Sequence, residues 1–333
     1  MYELLGISLA LAALLSINAL ASLMTTVVWR GCEARVRRWS AARRAGLLFA
    51  LRVLPAVFAA CCVIALLIPA WATHEPYHTD EIVSARLAVL ALISLAGIAL
   101  AIGRGLASWL VTRRLVKNWL SHAVPVQIEN ISLPTYRLPH RFPVIAITGA
   151  WRPRLFIAEQ VLDSLSSDEL KAVIAHECGH LRAGDNLKRP MLRACRDALS
   201  IVPCGRALDR AWAAAAEEAA DEYAAQAGGA AALDLAAALV KISRLIPAGS
   251  RPALPAGAWL IGAEAGGVAA RVKRLTELAA PAYSTRPAQS CIPKAAFIVA
   301  GGAMIALLTA AASNRQLLAL VHSALELIVS ALQ

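Results

Sequence analysis

Charged and aromatic residues are both scarce in this 333-residue chain, at 17% and 5% of positions, against 59% hydrophobic. Soluble domains run nearer about 25% charged and about 45–50% apolar. A wholly water-soluble protein is therefore excluded, and several membrane spans are expected. With so few aromatics and so much alanine, the apolar excess comes from the small and aliphatic side chains that pack helices together in lipid. A helical membrane protein fits this composition better than a barrel. A disulfide framework is also missing. The seven cysteines are odd in number and lie in apolar stretches or in segments read below as cytoplasmic, so free thiols are expected. The first apolar run follows Met1-Tyr2-Glu3 with no positive leading segment and is too long for a signal peptide, which makes it a retained span. The formal net charge is +11. Much of that excess flanks the spans, where it reports topology, and nucleic acid is not an expected partner.

What is present begins with four apolar windows near 4–28, 46–71, 86–110 and 295–313, each long enough for a helix to cross the hydrocarbon core. Between the first two, in the basic loop 30–45, lie Arg30, Arg35, Arg37, Arg38, Arg43 and Arg44, opposed only by Glu33. That places the loop in the cytoplasm. The next connection, Thr73 to Ser84, has Glu75, Asp80 and Glu81 but no Lys or Arg, and belongs outside. Arg113, Arg114 and Lys117 after the third span return the chain to the cytoplasm, and Arg286 and Lys294 before the fourth agree. The expected topology has the N-terminus out, the polar region in, and the C-terminus out. The chain then divides into three spans with the basic loop (1–114), a cytoplasmic domain (115–292), and a fourth span with a short apolar tail (293–333). The tail, Leu317 to Leu332, is expected to lie in the interface or to pack on the spans.

The cytoplasmic region opens with strand-like runs at Val126 to Ile131, Pro143 to Thr148 and Arg154 to Ala158, the last two joined by a turn at Gly149. Helical patterns follow at 167–183, about 190–202, 207–227, 231–246 and 268–279. The segment Pro190 to Pro203 interleaves Arg189, Arg193 and Arg196 with apolar residues, the pattern of a basic amphipathic helix on the inner leaflet.

Ser166-Ser167-Asp168-Glu169 is a capping box and Gly184 a suitable stop, so the run between them is a helix. It carries His176-Glu177-Cys178-Gly179-His180, which sets two imidazoles one turn apart on one face, the spacing that holds one zinc ion. Glu177 is placed to take a proton from the attacking water and return it to the leaving amine. The motif recurs as His74-Glu75-Pro76-Tyr77-His78. There Pro76 opposes the helical spacing, and the segment reads as a polar loop. A third ligand is expected from the acidic run at 217–222, where Glu217 and Asp221 share a face, one to bind metal and the other to hold a ligand histidine, with Glu218 as the competing choice. Cys178 lies on another face of its helix and reads as a core residue.

Pro153 to Ala158, Leu165 to Leu170, Ala172 to His180 and Asp185-Asn186 together resemble the bacterial sensor-transducer metallopeptidases that signal beta-lactam exposure. Glu217-Glu218-Ala219-Ala220-Asp221 is similar to the ligand segment that these share with the CAAX-prenyl and heat-shock membrane endopeptidases. The resemblance covers roughly residues 140–225 and the order of the spans. It implies a mainly α-helical polytopic membrane protein whose cytoplasmic domain is a gluzincin-like α+β zinc protease. One Zn2+ would be held by His176, His180 and Glu217, with Glu177 as general base and Asp221 in support. Asp185 matches the family position after the metal helix, and Arg271 a late Arg-Val motif that would stabilise the oxyanion. Tyr223 and His140 are further candidates for that role. The sequence departs from the antibiotic sensors in the short stretch after the last span, where they carry a penicillin-binding domain.

These residues together predict a metalloendopeptidase of the bacterial inner membrane that cleaves a protein substrate at the cytoplasmic face in regulatory proteolysis and signal transduction. Alternatives are a quality-control protease or a non-catalytic signalling component. The strand Arg154, Leu155, Phe156, Ile157 and Ala158 is the expected docking edge for an extended substrate. A separate sensor protein is a possible partner, beside the lipid bilayer. The Gly/Pro-rich stretch 247–267 is a connector, a lid or an internal substrate.

Overall fold

A computed structural model describes residues 2–75, 83–128, 131–149, 152–198, 205–226, 229–246, 265–280 and 294–332. Most of the stretch 247–267 lies outside them, as do Pro76, Tyr77, His78, Asp80 and Glu81. Among the described residues, three helical runs are long and apolar enough to cross a membrane. They are α1 (Tyr2–Val36), the run Ala41–His74, and α4 (Ala85–His122). The middle run is α2 (Ala41–Cys62), a π-helical turn at Val63–Leu67, and α3 (Ile68–His74). The region expected as a fourth span forms the helix α11 (Lys294–Ser313), and the tail forms α12 (Arg315–Leu332).

All three long helices outrun their apolar windows. The basic residues Arg30 and Arg35 continue α1, and Arg113, Arg114 and Lys117 continue α4 to His122. At one end of the bundle Leu5, Leu9, Leu67, Trp71 and Leu87 form an apolar cluster with Leu325 and Val329 of α12, so the tail packs on the spans. At the other end Trp29, Val36, Ala45 and Leu48 pack against Leu192, Leu208, Trp212 and Ala216 of the polar region. The Arg-rich segment forms α7 (Asp185–Ala198), and its Leu192 is buried in that cluster. α7 is thus a packed element of the fold, lying against α2 and α4.

The polar region holds β1 (Val124–Val126), β2 (Thr135–Leu138), β3 (Ile145–Thr148) and β4 (Arg154–Ala158), then α5 (Glu159–Ser164), α6 (Ser167–Ala183), α7, α8 (Gly205–Ala225), α9 (Gly229–Leu245) and α10 (Ala265–Leu278). The strand order is β1-β2-β4-β3. β2 and β4 are parallel, and the other two pairings are antiparallel. Gly149, at the end of β3, has φ 95, and a Cβ there would lie 2.6 Å from the Arg152 carbonyl oxygen, so glycine is required.

Leu155, Phe156 and Ile157 are fully buried with Leu235, Leu239 and Ile242 of α9 and Leu275 of α10. Burying each such side chain is worth about 1.5–3 kcal/mol. Trp119, near the end of α4, enters the same core 5.2 Å from the Phe156 ring, so the third long helix is anchored in the sheet.

The expected docking edge is not at β4. β4 lies inside the sheet, with β2 on one side and β3 on the other, and has no free edge. The short strand β2, absent from the sequence reading, covers it, and the edges belong to β1 and β3.

Candidate metal centre

α6 starts and stops where its sequence dictates. The Ser166 side chain accepts from the Glu169 amide, the Glu169 carboxylate accepts from the Ser166 amide, and Gly184 closes the helix at φ 75. His176, Glu177 and His180 lie on its buried face. α8 crosses that face. Gly179 permits the approach: a Cβ there would come within 3.1 Å of the Ala220 backbone and 3.3 Å of Tyr223. With the helices this close, one donor atom each from His176, His180 and Glu217 falls within 4.8 Å of the others.

The ring nitrogens are divided between two tasks. His176 Nδ1 is 2.9 Å from Asp221 Oδ1, and His180 Nδ1 is 2.8 Å from Asp185 Oδ2. Both Nε2 atoms are thereby turned to Glu217, at 3.7 Å from His176 and 3.5 Å from His180. Donors on a tetrahedral zinc with arms of about 2.0–2.2 Å stand about 3.4 Å apart, close to these separations. His176 Nε2 and Glu217 Oε2 are buried with no hydrogen-bond partner. Two such orphaned atoms facing one another, each backed by a second polar contact, fit a metal ion better than any packing role.

Arg271 of α10 donates to Asp221 through Nη2 at 2.6 Å and Nε at 3.1 Å, and its Nη1 lies 3.4 Å from Glu217 Oε2. Arg189 of α7 donates to Glu217 at 3.3 Å. Burial works against the charge on Glu217, but the hydrogen bond from His180 and the charges of His180, His176 and Arg271 bring its pKa down to about 2. Burial likewise disfavours a charged His180, yet hydrogen bonds to Asp185 and Glu217 outweigh it and raise its pKa to about 10. Glu177 goes the other way. Its burial, aided by the Glu217 charge, lifts its pKa above the ordinary glutamate value against the opposing His180 and His176.

Glu177 Oε2 accepts from the Ile147 amide at 3.4 Å, and the Asn186 side chain donates to the Ile147 carbonyl at 3.1 Å. The backbone of Ile147 therefore faces the histidine helix. Val144 is turned the other way, its carbonyl accepting from Ala158 of β4. The edge strand thus runs beside Glu177.

Not every candidate converges. Tyr223 packs at Gly179, and its ring lies 5.6 Å from the Arg182 guanidinium. His140 Nδ1 accepts from the Phe142 amide, and its ring lies 6.5 Å from Trp119, in contacts of the loop before β3. Cys178 packs against the apolar core as a free thiol, its pKa raised by burial and by the Glu177 charge. Glu218 turns aside to ion pairs with Arg44 of α2 and Arg274 of α10. Sequence reasoning missed Gly179, Asn186 and Arg189. A glycine between two ligand histidines was the available signal for the first.

The fold and this group define a candidate metal centre of two histidines and a glutamate on facing helices, set beside a small sheet and joined to long apolar helices. The model of Peptidase family M48 matches residues 146–290, a stretch that takes in His176, Glu177, His180, Glu217, Asp221 and Arg271. The chain is similar to Protease HtpX of Histophilus somni (strain 2336), 33% identical over 86 residues, which are 24% of this chain and 30% of that protein. The chain thus spans under a third of the length of the curated relative it matches. Both matches are to peptidases.

Proposed function

We propose that this chain is an integral-membrane zinc metalloendopeptidase of gluzincin type. It hydrolyses peptide bonds of a protein substrate at the cytoplasmic face of a bacterial inner membrane, with both termini outside. The observation that carries the reading is the buried pair His176 Nε2 and Glu217 Oε2, which face one another with neither atom hydrogen-bonded, and Glu177 next to His176 on α6. His176, His180 and Glu217 would hold one Zn2+, while Asp221 and Asp185 orient the imidazoles. A zinc ion so held supplies Lewis-acid polarisation of the scissile carbonyl and activation of water.

Glu177 takes the proton of the attacking water and passes it to the leaving amine. Its raised pKa keeps it a competent acid for the second half of that task. An extended substrate adds to the outer edge of β3 beside Glu177, taking the place of the Glu177 and Asn186 contacts with the Ile147 backbone. Arg271 is bound to Asp221 and Glu217, so it acts as a positioning residue.

Regulatory proteolysis is the favoured role, with a likeness to the sensor-transducer peptidases that rests on the sequence motifs. What supports it is the attachment of the second long helix to the ligand helix. Arg44 pairs with Glu218, Arg52 with Asp209 at 3.0 Å, and the Ala41 amide donates to Glu222 at 3.2 Å. Displacement within the spans, or by a separate sensor protein, would reach Glu217 through these contacts.

Glu177→Gln is the test. The variant is expected to retain zinc, lose turnover, and accumulate one or a few intact substrates in a whole-cell proteome comparison. Wild-type cleavage of such a substrate by the variant would overturn the mechanism. A broad set of accumulating misfolded membrane proteins would replace regulation with quality control. Retained zinc with an unchanged phenotype and no accumulating protein would favour a non-catalytic signalling component.

A further inference from the structure

The first copy of the His-Glu-x-x-His motif takes no part in the reading above. Its leading residues, His74 and Glu75, end the second long helix, and the fold brings α12 against them. Glu75 Oε2 lies 3.7 Å from His322 Nε2, and Glu326 Oε1 lies 3.3 Å from the same nitrogen. One donor atom from each of the three residues falls within 4.8 Å of the others. This spacing repeats that of the His176, His180 and Glu217 group, where the nitrogen-to-oxygen separations are 3.7 and 3.5 Å.

His322 and Glu326 are one turn apart on α12, so a single helix face presents both. The His74 ring stacks on that of His322 with centroids 5.7 Å apart, and His74 Nδ1 lies 3.3 Å from the Ala70 carbonyl oxygen, an arrangement that leaves Nε2 for a metal.

Of the two His322 ring nitrogens it is Nε2 that faces both carboxylates, while Nδ1 is buried without a hydrogen bond. The Glu75 side chain is only 7% exposed, and a divalent cation would neutralise the two carboxylates brought to the imidazole.

We propose that Glu75, His322 and Glu326, with His74 beside them, form a second divalent-metal site that takes Zn2+. The mixed imidazole and carboxylate set suits zinc and disfavours Ca2+ and Mg2+, which prefer oxygen alone. The site lies at the far end of the bundle from the catalytic group. Glu75 follows Arg44, which pairs with the ligand helix, by 31 residues of the sequence, about 45 Å of helix. On the charge-based topology this end faces out of the cytoplasm. A zinc ion there would tie the second span to the C-terminal helix.

The experiment counts zinc in full-length protein in detergent, stripped with chelator, recharged with Zn2+ and desalted. Wild type is expected to hold one zinc more than His322→Ala/Glu326→Gln, and one more than His176→Ala/His180→Ala. Zinc retained in full by His322→Ala/Glu326→Gln overturns this proposal; zinc retained in full by His176→Ala/His180→Ala overturns the catalytic one. Glu326 is 66% exposed, so Glu326→Gln alone spares the fold. In chelator competition on the His176→Ala/His180→Ala background it should weaken zinc binding at least about tenfold. An unchanged affinity there also overturns the second site.

Discussion

Arg271 grips Asp221 at 2.6 and 3.1 Å while Asp221 holds His176 Nδ1 at 2.9 Å, so a helix remote in sequence sets the orientation of the first motif histidine. Residues supporting a metal ligand in this way commonly cost about 10–100-fold in affinity or activity when changed. Asp221→Asn and Arg271→Ala are each expected to weaken zinc by that factor in chelator competition. The double variant should lose little beyond either single one, because both act through the same ring.

Glu177 predicts the acid limb of activity. Burial raises its pKa, so the carboxylate needed to accept the proton is lost as pH falls through a value above the ordinary glutamate range. kcat/KM for peptide cleavage should therefore decline on acidification earlier than a solvent-exposed glutamate would allow. Ile147 tests the cause without touching a side chain of the site: replacing it by proline removes the amide that donates to Glu177 and should move the limb to still higher pH.

At Gly179 a methyl group would come within 3.1 Å of the Ala220 backbone and 3.3 Å of Tyr223, so α8 has to give way to admit it. Gly179→Ala is expected to cost about 1–3 kcal/mol of stability by overpacking and to lower zinc affinity as α8 is pushed away. A thermal melt with and without zinc reads both effects. An unchanged melting temperature would contradict the close approach.

Arg44 and Glu218 join the second long helix to the neighbour of the third ligand. Both are partly exposed, so Arg44→Glu alone should cost about 1 kcal/mol, and activity should fall more than stability does. Restoration of activity by Arg44→Glu/Glu218→Arg would establish the coupling. Failure of the swap with both chains folded would argue against it.

Ser166→Ala removes the helix cap and should destabilise the domain by about 1 kcal/mol while leaving metal stoichiometry unchanged.

By itself the sequence determined what depends on near neighbours. The capping box and Gly184 set the limits of α6, the four-residue spacing put His176 and His180 on one face, and long apolar runs determined the helices between the two ends of the bundle. Each follows from local hydrogen bonding or from helical periodicity, which the order of residues contains directly. What only tertiary structure decided involves partners far apart in the chain. Glu217 rather than Glu218 faces the histidines because Gly179 lets α8 cross at one particular angle, and Glu218 is drawn off by Arg44 and Arg274. β3 rather than β4 is an edge because the four-residue strand β2, too short for an alternating pattern to reveal, pairs with β4 from across the sheet. Arg271, read from the sequence as part of a late Arg-Val motif for the oxyanion, is instead a clamp on Asp221, and His74 of the discarded motif stacks on His322 of α12. Nothing in local propensity encodes such pairings; they arise when burial of the shared core brings distant faces into register.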